Sequence, residues 1–170
     1  MSRPRYSPLV WLGLAMLIVA ADQYTKSLIV TAFQLGEGVS VTAFFNLVRV
    51  HNLGAAFSFL ADAGGWQRGF FTALGVVASA IMTWLLFRHA GQTLFSLALA
   101  LVLGGAVGNV IDRIVYGAVA DFLNMSCCGI ENPFSFNVAD VAIFLGAVGL
   151  VIWSGGGAPP PGRRRTRKSQ

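Results

Sequence analysis

Four stretches of this chain, roughly Pro8 to Phe33, Gly69 to Phe87, Leu94 to Ile111 and Val138 to Trp153, are apolar almost throughout. Each approaches the ~20 residues that an α-helix needs to cross a bilayer. Backbone polar groups in hydrocarbon find no water, so segments of this kind are confined to helices whose hydrogen bonds close internally. The fourth stretch is short, and its span is expected to begin near Asn137 and to end among the glycines after Trp153. With 55% apolar and only 11% charged residues in 170, the composition is that of an integral membrane protein rather than a soluble domain. The expected fold class is a mainly α membrane protein with four transmembrane helices, forming one domain over residues 1–154. Residues 155–170 read as a Gly/Pro-rich basic cytoplasmic tail.

The net charge of +5 raises nucleic acid as a partner. Arg163, Arg164, Arg165, Arg167 and Lys168 supply all of it, however, and the seven other basic residues equal the seven acids in number. No aromatic interleaving or groove-binding motif accompanies the tail, so no nucleic-acid partner is expected. The tail instead fits the rule that cytoplasmic flanks of membrane helices carry Lys and Arg. With four spans and both termini inside, Arg3, Arg5, Arg88 and the tail lie on the cytoplasmic side, eight of the twelve basic residues. Lys26, Arg49, Arg68 and Arg113 then fall on or near the outer side, and the long connections, residues 34–68 and 112–137, face outward. A cleavable signal peptide is the rival reading of the first segment, with Val19-Ala20-Ala21 as a cleavage site. Apolar periodicity resumes after Lys26 and favours a retained helix.

Within this apolar background the carboxylates are informative. Between Arg113 and Arg163 there is no Lys, Arg or His, yet Asp121, Glu131 and Asp140 are present. An ionised carboxylate in apolar surroundings is costly unless it is paired, hydrated or allowed to hold a proton. Asp121, in Gly117-Ala118-Val119-Ala120-Asp121-Phe122-Leu123, has no local partner. Asp140 has a structural alternative, with Asn137 as N-cap and Asp140 at the third helical position, although such a cap would also favour an ionised Asp140. Asp22 has Lys26 four residues later, which suggests an ion pair along one helix face. Asp112, Arg113 and Asn109 cluster at the end of the third span as a positioning or anchoring group.

Outside the spans, Val39 to Val50 is rich in β-branched and aromatic residues with partial alternation, which predicts short strands. Ala55 to Ala61 is expected to form an interfacial helix, with Trp66 at headgroup level. Gly104 and Gly108 form a small-residue pair suited to close helix packing, not a phosphate loop. Cys127 and Cys128 are adjacent, a spacing that suits neither metal nor disulfide framework. Asn124-Met125-Ser126 matches a glycosylation sequon.

Taken together, five motifs resemble the lipoprotein signal peptidases (signal peptidase II) of bacterial inner membranes. They are Asp22-Gln23-Tyr24-Thr25-Lys26, Asn52-Leu53-Gly54-Ala55-Ala56-Phe57, Gly108-Asn109-Val110-Ile111-Asp112-Arg113, Val119-Ala120-Asp121-Phe122 and Phe136-Asn137-Val138-Ala139-Asp140. Each is weak alone; their order along one four-span chain is specific and covers about Trp11 to Trp153. Ala120 departs from the pattern, which commonly has valine there. The resemblance implies a small outward β-cradle with an interfacial helix and a catalytic pair carried onto Asp121 and Asp140, near the periplasmic surface of the inner membrane. It implies a diacylglyceryl-prolipoprotein substrate cut just before its lipidated cysteine, membrane lipid as a further partner, no metal and no cofactor. Asn52, Gly54, Asn109, Arg113 and Asn137 are expected to bind substrate or support the pair. Asp22, Lys26 and Asp112 are marked without a fixed role, and the chain is expected to act as a monomer.

A pair of aspartates sharing one proton can activate water with one carboxylate and polarise the scissile carbonyl with the other. Diacyl chains, each CH₂ contributing about 0.8 kcal/mol on burial, would hold the cysteine at the depth of the pair. The alternative is a proton-coupled transporter or channel using intramembrane aspartates, which would favour acids near the midplane and paired broken helices. A presenilin-like intramembrane protease would show a Gly-x-Gly-Asp motif, which is missing from the sequence.

Overall fold

The structure, a computed structural model, describes residues 6–54, 60, 64–126 and 132–155. Four helices carry the fold: α1 (Pro8–Ala32), α2 (Trp66–His89), α3 (Thr93–Val115) and α4 (Val138–Gly155). All four are long and apolar enough to cross a membrane. Ser7 opens α1 by accepting the Leu9 N–H at 3.3 Å, and Pro8 at the first helical position sacrifices no hydrogen bond. Large apolar side chains such as Leu17, Phe144 and Val151, each about two-thirds exposed in the protein alone, mark the lipid-facing surface. In water such a surface would drive association.

The third helix lies at the centre, with 56% of its most apolar stretch buried inside the protein against 6% for α2. Hydrocarbon solvates leucine as well as another helix does, so helices in a bilayer associate where small residues allow their backbones to approach. Three glycines of α3 do this. A Cβ on Gly104 would come within 2.8 Å of the Ala15 carbonyl oxygen of α1, one on Gly105 would collide with the Ala139 carbonyl of α4, and one on Gly108 would lie 2.6 Å from the Asp22 carboxylate. The packing expected for Gly104 and Gly108 is present, and Gly105 extends it to α4. Toward the other end of the bundle, Trp11, Ala15, Leu86, Leu99, Ala100 and Leu103 form an apolar core.

A four-stranded antiparallel sheet is built from β1 (Gly38–Ser40), β2 (Asn46–Asn52), β3 (Val119–Asn124) and β4 (Ser135–Phe136), in that spatial order. The strands expected within residues 39–50 are there, divided by a turn in which the Val41 and Thr42 amides both donate to the Phe45 carbonyl. The third strand was not foreseen. Its side chains are buried almost without interruption, so it lacks the alternation that identifies a half-buried strand. Register places Val50 opposite Asp121 and Asn52 opposite Val119.

The third helix also runs past Ile111 to Val115, so Asp112 and Arg113 belong to the helix and not to the outer connection. Arg68 closes it, donating from Nε to the Arg113 carbonyl (2.9 Å) and from a terminal nitrogen to that of Ile114 (3.1 Å). Cation donors at a helix C-terminus satisfy the last carbonyls. Gly117 then turns the chain into β3 with φ of +79°, a conformation that disfavours a side chain. The expected interfacial helix at Ala55–Ala61, Cys127, Cys128 and the basic tail from residue 156 fall outside the described residues, apart from Leu60.

Candidate active site

The fourth helix begins at the level of Asp22, whose Oδ1 accepts the Ala139 N–H at 2.9 Å. The ten residues of α1 after Asp22 therefore rise about 15 Å beyond the start of α4. The sheet fills this space, and Arg49 of β2 secures the end of α1 by donating to the carbonyls of Val30 and Phe33 at 3.1 and 2.8 Å. The polar residues singled out in the sequence converge where α4, α3, α1 and the sheet meet.

Asn137, fully buried, is the centre of the cluster. Its Nδ2 donates to Asp121 Oδ1 at 2.6 Å, while its Oδ1 accepts the Asp140 N–H at 2.9 Å and its own N–H reaches Asp140 Oδ2 at 3.3 Å. The last two bonds form a reciprocal capping box, so the cap expected at Asn137 exists and the same residue also holds Asp121. One asparagine thus bonds to both aspartates. Asn52 Nδ2 donates to Asp121 Oδ2 at 3.2 Å, and Asn109 Nδ2 to Asp140 Oδ1 at 2.8 Å. Each carboxylate therefore accepts two N–H donors and keeps lone pairs for a further partner.

Asp121 lies on β3 and is 3% exposed. Its carboxyl is pushed up from the ordinary range to about 7, first by burial and second by the neighbouring Asp140; Asn52, Asn137 and Lys26 act in the opposite sense. Near neutral pH it is poised between its two forms, the condition for proton transfer.

The Asp22–Lys26 pair is present, with 2.8 Å between Nζ and Oδ2 and both side chains buried. Lys26 also meets Asp112 Oδ2 at 2.9 Å and donates to Asn109 Oδ1 at 3.1 Å. This corrects the impression that Asp121 and Asp140 have no cation near them. Lys26 is one asparagine away from Asp140, hidden by 114 positions of sequence. Arg113 also ties down the loop: it donates to the Gly54 carbonyl at 2.8 Å and to the Asn109 carbonyl at 3.3 Å, and stacks over Phe71 with 5.5 Å to the ring centre. Gly54 in turn gives its N–H to Asn52 Oδ1 at 2.9 Å, which turns the Asn52 amide donor toward Asp121.

Gln23 was missed. Its Nε2 lies 2.9 Å from Asp112 Oδ1, 3.2 Å from Asp22 Oδ2 and 3.2 Å from the Gly108 carbonyl. Only its place beside Asp22 could have signalled it. The Asn124 sequon is not an open acceptor, because the Asn124 amide donates to the carbonyls of Asn132 and Phe134 at 2.7 and 3.0 Å and its oxygen accepts the Ser126 hydroxyl. Among the described residues no group of three or more His, Cys, Asp or Glu is placed to hold a metal ion. A cleft of about 810 Å³ opens beside Ala118, lined in part by His51, Gln67, Arg68 and Tyr116.

Residues 14–155 match the family model described as signal peptidase (SPase) II. A lipoprotein signal peptidase of Cupriavidus necator is 59% identical over 146 residues, covering 86% of this chain and 83% of the relative. One from Burkholderia multivorans is 52% identical over 152 residues, covering 89% and 91%. Two solved structures described as bacterial membrane enzymes have the same fold. One superposes with a TM-score of 0.82 at 24% identity over the whole of both chains, the other with 0.77 at 26% identity over 91% of this chain and 97% of that one.

Proposed function

The chain belongs to the signal peptidase II family, and from that premise we propose that Asp121 and Asp140 carry its peptidase chemistry as an aspartic pair. The protein is a membrane-embedded peptidase that removes signal peptides from prolipoproteins. The transporter or channel alternative gives way to this family membership. The observation that carries the aspartic assignment is Asn137, which holds both carboxylates from the head of α4.

In this reading Asp121 holds the shared proton below about pH 7, and Asp140 is the base, with its carboxylate at the positive end of the α4 dipole and inside a capping box. Asp140 takes a proton from water as the water oxygen bonds to the scissile carbonyl carbon. Asp121 gives its proton to the carbonyl oxygen, and a neutral gem-diol forms. Collapse transfers a proton from Asp140 to the departing nitrogen and returns a hydroxyl proton to Asp121. The C–N bond breaks, leaving a new carboxyl end on the signal peptide and a free amine on the lipoprotein cysteine. Protons balance, and the pair ends in its starting state.

The substrate is a prolipoprotein whose cysteine already carries diacylglycerol, and the cut falls just before that cysteine. The pair lies at the head of α4, at one end of the 18-residue helix, and a lipid anchor would hold the cysteine at that fixed depth. Proximity would then come from the bilayer itself. The termini face the cytoplasm and the pair lies toward the periplasmic surface of the inner membrane, as the distribution of Lys and Arg suggests. The enzyme acts as a monomer.

The test is cleavage by purified protein of a prolipoprotein with and without its diacylglyceryl group, with product masses read by mass spectrometry. The lipidated form should be cut once, before the cysteine. Equal cleavage of the non-lipidated form, or a cut elsewhere, would overturn the substrate assignment.

A further inference from the structure

Two buried carboxylates outside the aspartic pair do the same thing. Asp22 accepts the N–H of Ala139 at 2.9 Å, and Asp112 accepts the N–H of Ala120 at 3.1 Å. Ala139 immediately precedes Asp140, and Ala120 immediately precedes Asp121. Both acids are fully buried and share one ammonium, that of Lys26, at 2.8 and 2.9 Å.

We propose that Lys26, with Asp22 and Asp112, is a positioning device that fixes the backbone just before each member of the aspartic pair and so sets their mutual geometry.

A buried carboxylate is stable only when its charge and lone pairs are met. Here the Lys26 ammonium lies against Oδ2 of both acids and Gln23 bridges them from Nε2; the Ala139 amide takes Asp22 Oδ1, and the Ala120 amide shares Asp112 Oδ2 with Lys26. The arms cross between elements: Asp22 ties α1 to α4, and Asp112 ties α3 to β3. The Ala139 N–H is one of the free donors in the first turn of α4 and has no intrahelical acceptor; Asp22 supplies one from another helix. The Ala120 N–H belongs to β3, which enters from the turn at Gly117 and pairs with β2 and β4. A third arm passes through Asn109. Its Oδ1 accepts from Lys26 at 3.1 Å, which turns its Nδ2 toward Asp140 at 2.8 Å. Reversing that amide would set a donor against the ammonium and an acceptor against a carboxylate. One cation therefore decides three contacts around the pair, and a displacement of about 1 Å at such a site can cost about 100-fold in rate.

A device that positions reacting groups should act on kcat, whereas a residue that only supports the fold should lower stability with little change in the chemistry of the molecules that remain folded. The inference rests on the aspartic reading, so Asp121→Asn and Asp140→Asn are run beside the test variants. The experiment is steady-state cleavage of a diacylglyceryl-prolipoprotein by full-length Asp112→Ala, Asp112→Asn, Asp22→Ala and Lys26→Met, each with its thermal midpoint measured. Asp112→Ala and Asp22→Ala should lose about 100-fold in kcat with KM within about threefold of wild type. Asp112→Asn, which keeps an oxygen for the Ala120 N–H, should recover much of that loss. Lys26→Met should shift the alkaline limb of the pH–rate profile to higher pH, because one cation that opposes protonation of Asp121 is gone while Asp22, Asp112, Asp140 and Arg113 remain. If Asp112→Ala and Lys26→Met do not fold, the kcat of Asp22→Ala and Asp112→Asn decides. Wild-type kcat in folded Asp22→Ala, or equal impairment of Asp112→Ala and Asp112→Asn with an unmoved pH limb in Lys26→Met, would overturn the inference. Full activity in Asp121→Asn or Asp140→Asn would instead overturn the aspartic reading beneath it.

Discussion

Asp121 is a carboxyl whose chemistry is set by where the chain buries it. Raised to about 7 by burial and by Asp140, it keeps its proton at pH 6 and loses it above neutrality. The shared proton is then gone, so kcat/KM should fall as pH rises through about 7, a limb measurable with the lipidated substrate. The same shift has a sign for stability. An unfolded aspartate titrates near pH 4, so the folded state holds an extra proton between about 4 and 7. The contribution of this residue to stability is full below about 4 and declines as pH rises through about 7. Infrared spectra at pH 6 should show a protonated-carboxyl band that Asp121→Asn removes and Asp140→Asn leaves; the opposite pattern would reverse the roles of acid and base. Sequence alone could pick out Asp121, because an acid with no cation within its own stretch is conspicuous. It could not supply the partners, since Asn52 and Asn137 reach Asp121 from 69 and 16 positions away.

At the scale of elements, the site depends on how closely α3 and α4 approach. A methyl on Gly105 would collide with the Ala139 carbonyl, a backbone atom one residue from Asp140, so relief requires α4 to move. Gly105→Ala should therefore lower kcat by about 100-fold, while Gly13→Ala in α1, where the added carbon meets nothing within 4 Å, should leave activity unchanged. Equal activities in the two would show that α4 is not set by this contact. The helices were legible because length and hydropathy alone define a span. The Asn137 cap was legible because capping is a local pattern. Strand β3 was not, because continuous burial erased its period of two, and the apolar run that marks α3 ends at Ile111, before the polar Asp112 and Arg113, although the helix continues to Val115. Asp112 is instead fully buried, and its charge is met by Lys26 from a helix 86 positions earlier.

As a whole molecule, the protein places a polar cluster at one end of a lipid-facing bundle, and its orientation in the membrane follows from charge. If the connection between α3 and α4 faces outward, the native Cys127 and Cys128 should react with a membrane-impermeant maleimide in intact spheroplasts as fully as after permeabilisation. Labelling only after permeabilisation would contradict the orientation. The central claim is that hydrolysis is performed by Asp121 and Asp140 together. Its most direct test is single-turnover cleavage of a diacylglyceryl-prolipoprotein by purified wild type, Asp121→Asn and Asp140→Asn, with folding matched by thermal midpoint. Each substitution removes one of the two groups that move protons, so each should lower the rate by at least about 100-fold. Cleavage by either folded variant at the wild-type rate would contradict the account.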